Sequence, residues 1–204
     1  MSRGRFISFE GVDGAGKSTQ VDALARTLAA RARAALRTRE PGGTPLGESL
    51  RSLALGQDMA PMTETLLMFA ARCEHVRQVI APALAAGQWV LCDRFADASY
   101  AYQGAGRGVP IACLDTLSGW VQAGIAPDLT ILVDLDPAEA RRRRASARPA
   151  DRFEQESLDF FERVRAAYRE RAAQDPQRFL VVDGAAAAGV QSQAILERIA
   201  PWLD

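Results

Sequence analysis

Two glycines, a lysine and a hydroxyl stand at fixed intervals in Gly11-Val12-Asp13-Gly14-Ala15-Gly16-Lys17-Ser18, with Thr19 following. The pattern G-x-x-x-x-G-K-[ST] lies after an apolar run and at the head of a helical one, the setting in which it holds phosphate. Glycines let backbone N–H groups converge on β- and γ-phosphates, at the positive end of a helix. Lys17 is a compact, mobile charge suited to the moving γ-phosphoryl group. The Ser18 hydroxyl suits Mg²⁺. Residues 11–19 are therefore candidate ATP-binding residues, and phosphoryl transfer is the chemistry they could support.

Two further observations narrow the class. Of the 25 lysines and arginines, Lys17 is the sole lysine, and asparagine is absent from the chain. Without asparagine the N-K-x-D base-recognition motif of GTPases cannot exist. Leu117-Ser118-Gly119-Trp120 departs at once from the L-S-G-G-Q signature of transporter ATPases. Kinases acting on nucleoside monophosphates fit best.

The elements that must position these groups follow from periodicity. Short apolar runs alternate with helical patterns, which predicts βαβ units and a parallel sheet. Strands are expected at Phe6–Phe9, Ala35–Thr38, Trp89–Cys92, Leu129–Val133 and Phe179–Val182. Helices are expected at Lys17–Arg33, Pro45–Leu55, Glu64–Ala86 with a kink at Pro82, and at about 111–123, 137–147, 157–173 and 189–203. The expected fold is α/β, a three-layer P-loop fold with five parallel strands flanked by helices, in one domain spanning 1–204. The alanine run 185–188 reads as a loop entering the last helix.

Composition excludes other classes. The chain has 204 residues and zero formal net charge, so a nucleic-acid coat or membrane-surface binder, which needs a basic excess, is not expected. No apolar run approaches the ~20 residues that span a bilayer. Three separated cysteines and one histidine build neither a disulfide framework nor a zinc site. A cytoplasmic location is the expectation.

Asp93 and Arg94 follow a buried strand, so they emerge at the carboxyl end of the sheet, where open α/β folds bind ligands. Such an aspartate can hold Mg²⁺ through water, and such an arginine can grip an acceptor phosphate; a pair that merely caps the strand is the alternative. Phe69 and Arg72 lie three apart on one helix face, which fits a ring stacking on a base beside a guanidinium at its carbonyl edge. On spacing alone a core phenylalanine beside a surface arginine is the plainer reading. The four arginines 141–144, then Arg148 and Arg152, form the densest basic run. Successive helical residues about 100° apart sweep most of the circumference, so at least one must face the protein or its cleft.

From Thr38-Arg-Glu-Pro-Gly-Gly-Thr44 onward the sequence resembles bacterial thymidylate kinases. The likeness continues through Leu50-Arg51-Ser-Leu53, Met68-Phe69-Ala-Ala-Arg72, Asp93-Arg94-Phe95, Ala101-Tyr102-Gln103 to Gly108, Pro127-Asp128-Leu-Thr130 and Asp151-Arg152-Phe-Glu154. It runs in family order from about residue 6 to about 175. The resemblance implies phosphorylation of dTMP to dTDP with ATP and Mg²⁺, in a homodimer. It implies thymine stacking on Phe69, recognition by Arg72 with Ser99 and Gln103 facing the base, and Tyr102 crowding C2′. It places Arg51 and Arg94 on the acceptor phosphate and Asp13 near the sugar hydroxyl and reacting phosphates; Ser18 and Asp93 are the metal candidates by motif and position. It makes residues 141–153 a lid over ATP. Ala15 occupies a position that is basic in some members, so the catalytic arginine is expected from the lid. Arg144, Arg148 and Arg152 are the candidates, with the member left open. The rival readings are a kinase for another nucleotide or a deoxynucleoside, and a nucleotide-binding regulator without turnover.

Overall fold

The computed structural model describes residues 3–144 and 152–203, with only the backbone of Arg144. Five parallel strands form one sheet: β1 (Phe6–Glu10), β2 (Ala35–Arg39), β3 (Trp89–Asp93), β4 (Leu129–Asp134) and β5 (Phe179–Asp183), in the order β2-β3-β1-β4-β5. The register pairs Ile7 with Leu91 on one side and with Leu129 on the other. β1 is buried throughout, as a central parallel strand with both faces covered must be. Side-chain alternation sends Ile7 and Phe9 to one face and Phe6, Ser8 and Glu10 to the other. Two polar groups are therefore driven into the core, and each is satisfied there. The Ser8 hydroxyl pairs with that of Thr130 at 3.0 Å, and Glu10 takes partners described below.

Helix α1 (Lys17–Ala30) leaves the phosphate loop and packs Val21, Leu24 and Leu28 into the core. Helix α2 (Pro45–Gly56) starts at Thr44, whose Oγ1 accepts from the Gly47 N–H at 2.9 Å, with proline at the first helical position. Helix α3 (Pro61–His75) begins three residues before the expected start. Its irregularity is a π-helical turn, Val76–Ile80, that precedes Pro82 rather than a kink at it; α4 (Ala81–Ala85) carries the proline in its first turn. The extra residue in that turn suits a proline that cannot donate to the ladder.

One element is absent from the periodicity reading. Helix α5 (Ala96–Ser99) runs into a π-helical segment, Tyr100–Gly106, although its sequence is rich in glycine and alanine and lacks a long apolar stripe. It is held by tertiary contacts with α8. Helices α6 (Ile111–Gln122), α7 (Pro137–Arg144), α8 (Leu158–Gln174) and α9 (Ala188–Ile199) follow the expected order, and a 3₁₀ turn, Ala200–Trp202, ends the chain's last helix early. Among the described residues no helix is long and apolar enough to cross a membrane.

Candidate active site

The strand β1 delivers the chain into the glycine turn. Gly14 has φ +90°, and a Cβ there would stand 2.4 Å from the Ala140 carbonyl oxygen of α7, so the turn needs glycine for both conformation and space. Gly16 caps α1 at φ +105°. Lys17 is buried, and its Nζ donates to the Gly11 and Val12 carbonyls at 3.1 and 3.2 Å and lies 3.4 Å from Asp13 Oδ1. Ser18 and Thr19 are exposed at the helix head. The positive charge, the backbone amides of the helix's first turn and the hydroxyls thus meet at one end of one helix.

A cleft of about 690 Å³, including its open mouth, lies beside this turn. Seven of the eight residues expected on the acceptor nucleotide line it: Asp13, Arg51, Arg72, Arg94, Ser99, Tyr102 and Gln103. Phe69 does not. Its ring is 2 % exposed and packs with Val109 and Leu114, and the Arg72 guanidinium lies over it at 4.8 Å. The rings that do line the cleft are Phe95, Tyr102 and Phe153.

Arg94 joins the two halves. It leaves β3 at φ +70°, a left-handed backbone that costs about 1–2 kcal/mol in a residue with a side chain. Its Nη2 donates to Asp13 Oδ1 at 2.8 Å and to the Tyr102 hydroxyl at 3.0 Å, and its Nη1 to the Tyr168 hydroxyl at 3.1 Å. Burial, the largest single influence, opposes the charge on Arg94, but Asp13, the two tyrosine hydroxyls and Asp93 together outweigh it and hold the guanidinium firmly protonated. Burial likewise raises both tyrosines above their ordinary range, so they remain neutral hydroxyls. Arg51 donates to the Pro41 carbonyl at 3.0 Å.

Arg72 is set by a buried relay. Its Nε donates to Glu40 Oε2 at 2.7 Å, and its Nη2 donates to the Phe95 carbonyl at 3.1 Å and the Ser99 hydroxyl at 3.0 Å. Glu40 Oε1 meets His75 Nδ1 at 2.9 Å, and His75 Nε2 meets the Thr38 hydroxyl at 2.6 Å. Among the described residues Arg72 Nη1 is a buried donor with no partner, on a side chain that lines the cleft. Composition alone gave the lone histidine no role beyond the core. Its pairing with Glu40, thirty-five residues away, is a tertiary fact with no local signal.

Gln103 donates to Glu64 Oε1 at 2.9 Å. The same fully buried carboxylate takes Arg152 Nη2 at 2.6 Å and Arg107 Nε at 3.3 Å, and Arg152 Nε also donates to the Ala54 carbonyl. Arg152 thereby ties the end of the arginine segment to α2 and α3. Arg141, Arg142 and Arg143 are all exposed, and of these Arg143 also touches the protein body, donating to the Gly184 carbonyl at 2.9 Å. Arg148 lies outside the described residues, as does the side chain of Arg144.

The divalent-metal expectation meets one observation. Among the described residues Asp93 Oδ1 is a buried carboxylate oxygen without a hydrogen-bond partner, and Asp93 shares a second cleft with Ser18. An anionic oxygen and a hydroxyl beside the phosphate turn are a donor set that suits a hard, oxygen-seeking cation. Among the described residues no group of three or more His, Cys, Asp or Glu gathers to hold a metal without substrate.

The family model of thymidylate kinase matches residues 9–195. The chain belongs to the thymidylate kinase family. It is 52 % identical over 204 residues to the thymidylate kinase of Paraburkholderia xenovorans (strain LB400), covering 98 % of this chain and 99 % of that one. It is 58 % identical over 181 residues to that of Cupriavidus metallidurans, covering 89 % and 90 %. The crystal structure of thymidylate kinase from Ehrlichia chaffeensis superposes with a TM-score of 0.81 at 32 % identity, covering 97 % and 99 %. The fold is that of the P-loop thymidylate kinases, and the enzyme phosphorylates dTMP to dTDP with ATP as donor, which calls for a divalent metal.

Proposed function

We propose that the γ-phosphoryl group of ATP, held in the turn Gly11–Ser18, passes in line to a phosphate oxygen of dTMP lying in the cleft. The observation that carries this is Arg94, which touches Asp13 of the phosphate turn while lining the acceptor cleft with Arg72 and Tyr102. The acceptor is already an anion, so positioning and charge compensation suffice, and no strong base is needed.

Arg94 and Arg51 hold the acceptor phosphate, and Lys17 follows the migrating group. Arg72 presents its unpaired Nη1 to a carbonyl of the base, with Ser99 and Gln103 fixed around it. Phe69 supports Arg72 from beneath, and a stacking role requires its ring to be uncovered. Tyr102 crowds the sugar. Ser18 and Asp93 would hold Mg²⁺, which when bound would supply charge neutralisation at the phosphate oxygens. A lid over about 141–153 excludes water, with Arg144, Arg148 or Arg152 as its catalytic arginine. The whole chain acts as one domain in the cytoplasm. A homodimer is supported by exposed Leu66 on α3 and Trp120 on α6, at 51 % and 76 % exposure; light scattering at working concentration tests it.

The deciding experiment measures ADP release with ATP, magnesium and a panel of dTMP, UMP, CMP and thymidine. A marked preference for dTMP is expected. Preference for another acceptor, or tight ATP binding without transfer to any, overturns the reading.

A further inference from the structure

Glu10 has no part in the chemistry above, yet it is a fully buried carboxyl at the end of the central strand, one residue before the phosphate turn. Its two oxygens have different partners. Oε1 accepts from the Phe95 N–H at 2.7 Å, and Oε2 shares a hydrogen bond with the Tyr168 hydroxyl at 2.8 Å. Phe95 is the residue after Arg94, and Tyr168 accepts from Arg94 Nη1 at 3.1 Å. One carboxyl therefore grips Arg94 twice, through the backbone that follows its left-handed turn and through the tyrosine behind its guanidinium.

We propose that Glu10 is a positioning residue for the acceptor phosphate: with Tyr168 it fixes both the backbone and the guanidinium of Arg94. The inference rests on Arg94 binding that phosphate. The need for two anchors is physical. A left-handed residue relaxes unless its surroundings hold it, and an arginine released from Asp13 by an incoming phosphate keeps its place only if other partners remain. Tyr168 and Tyr102 are those partners, and Glu10 holds the first of them. The groups facing Glu10 are Asp97 of α5, Arg94 and Tyr168. Burial, with the nearby charge of Asp97, pushes the Glu10 carboxyl up to about 8, above the countervailing pull of Arg94 and of its hydrogen bonds. A glutamine keeps the shape and the oxygen that accepts from the Phe95 N–H, and its amide N–H₂ meets the Tyr168 hydroxyl with the direction of that bond reversed.

Steady-state constants for dTMP and ATP are measured on Glu10→Ala, Glu10→Gln, Tyr168→Phe and Arg94→Ala. Glu10→Ala should raise the dTMP KM by about tenfold, as loss of a bond that orders a charged group does, with the ATP KM within about twofold. Glu10→Gln should restore the dTMP KM to within about threefold of the parent, and Tyr168→Phe should fall between the two. If Glu10→Ala does not fold, Tyr168→Phe decides alone, since the ring stays in the core. Unchanged dTMP KM in Tyr168→Phe, or equal increases for both substrates, overturns the inference while leaving Arg94 in place. An unchanged dTMP KM in Arg94→Ala removes the phosphate assignment itself, and the positioning role with it.

Discussion

Replacing Glu40 by glutamine tests the relay behind Arg72 with little change of shape. Both side chains of the Glu40–Arg72 pair are almost wholly buried, at 4 % and 3 % exposure. Glu40 accepts at 2.7 Å from Arg72 and meets His75 at 2.9 Å, so the amide weakens two contacts and leaves the guanidinium without its anion. If each charge-assisted bond falls to the strength of a neutral one, the loss is about 1 kcal/mol per bond, and the stranded buried charge adds about as much again. A total of ~2–4 kcal/mol at ~2–4 °C per kcal/mol for a chain of this size lowers Tm by roughly 5–15 °C. The same change frees Arg72 to swing from Ser99, so the dTMP KM should rise by about tenfold while the ATP KM stays within about twofold. Thermal unfolding and steady-state kinetics on one preparation supply both numbers. A Tm within about 1 °C of the parent, together with an unaltered dTMP KM, refutes the relay as a determinant of Arg72.

Other outcomes follow from the same geometry. Lys17→Ala should lower kcat by at least about a thousandfold, because positioned charge on the transferring group is lost, yet leave dTMP affinity near normal by calorimetry. Asp93→Asn should raise the magnesium concentration needed for half-maximal rate about tenfold or more, since a neutral amide oxygen replaces the unpaired carboxylate oxygen; an unchanged requirement removes Asp93 from the metal site. Between about pH 4.5 and about 8 the native state holds a proton on Glu10 that the unfolded chain has released, so stability declines as pH rises across that interval. Urea denaturation of Glu10→Gln should show a flatter dependence over it, and a parent curve as flat as the variant's contradicts the raised carboxyl.

Much of this was legible in the sequence because it is local. The glycine turn, its lysine and the strand before it are contiguous, and the parallel strands are apolar runs bounded by turn residues. The acceptor residues followed from segments standing in family order, and all but Phe69 line one cleft. Phe69 differs because three-residue spacing shows that two side chains share a helix face, not which of them covers the other. The helical segment Ala96–Gly106 was missed for the opposite reason: its propensity is poor, and α8 holds it in place. The roles of Glu10, Glu40 and Glu64 were not legible, since a buried carboxyl group has no local signature. Their partners Tyr168, His75 and Arg152 lie 158, 35 and 88 residues away.

The solitary lysine has a practical corollary. The one side-chain amine of the protein rests against the carbonyls of Gly11 and Val12, beneath the place where a nucleotide tail would sit. Amine-directed labels that leave other proteins randomly decorated therefore meet a single internal target here. The extent of acylation at that target, followed by mass spectrometry, becomes a direct gauge of how often the cradle opens and of what is lodged within it.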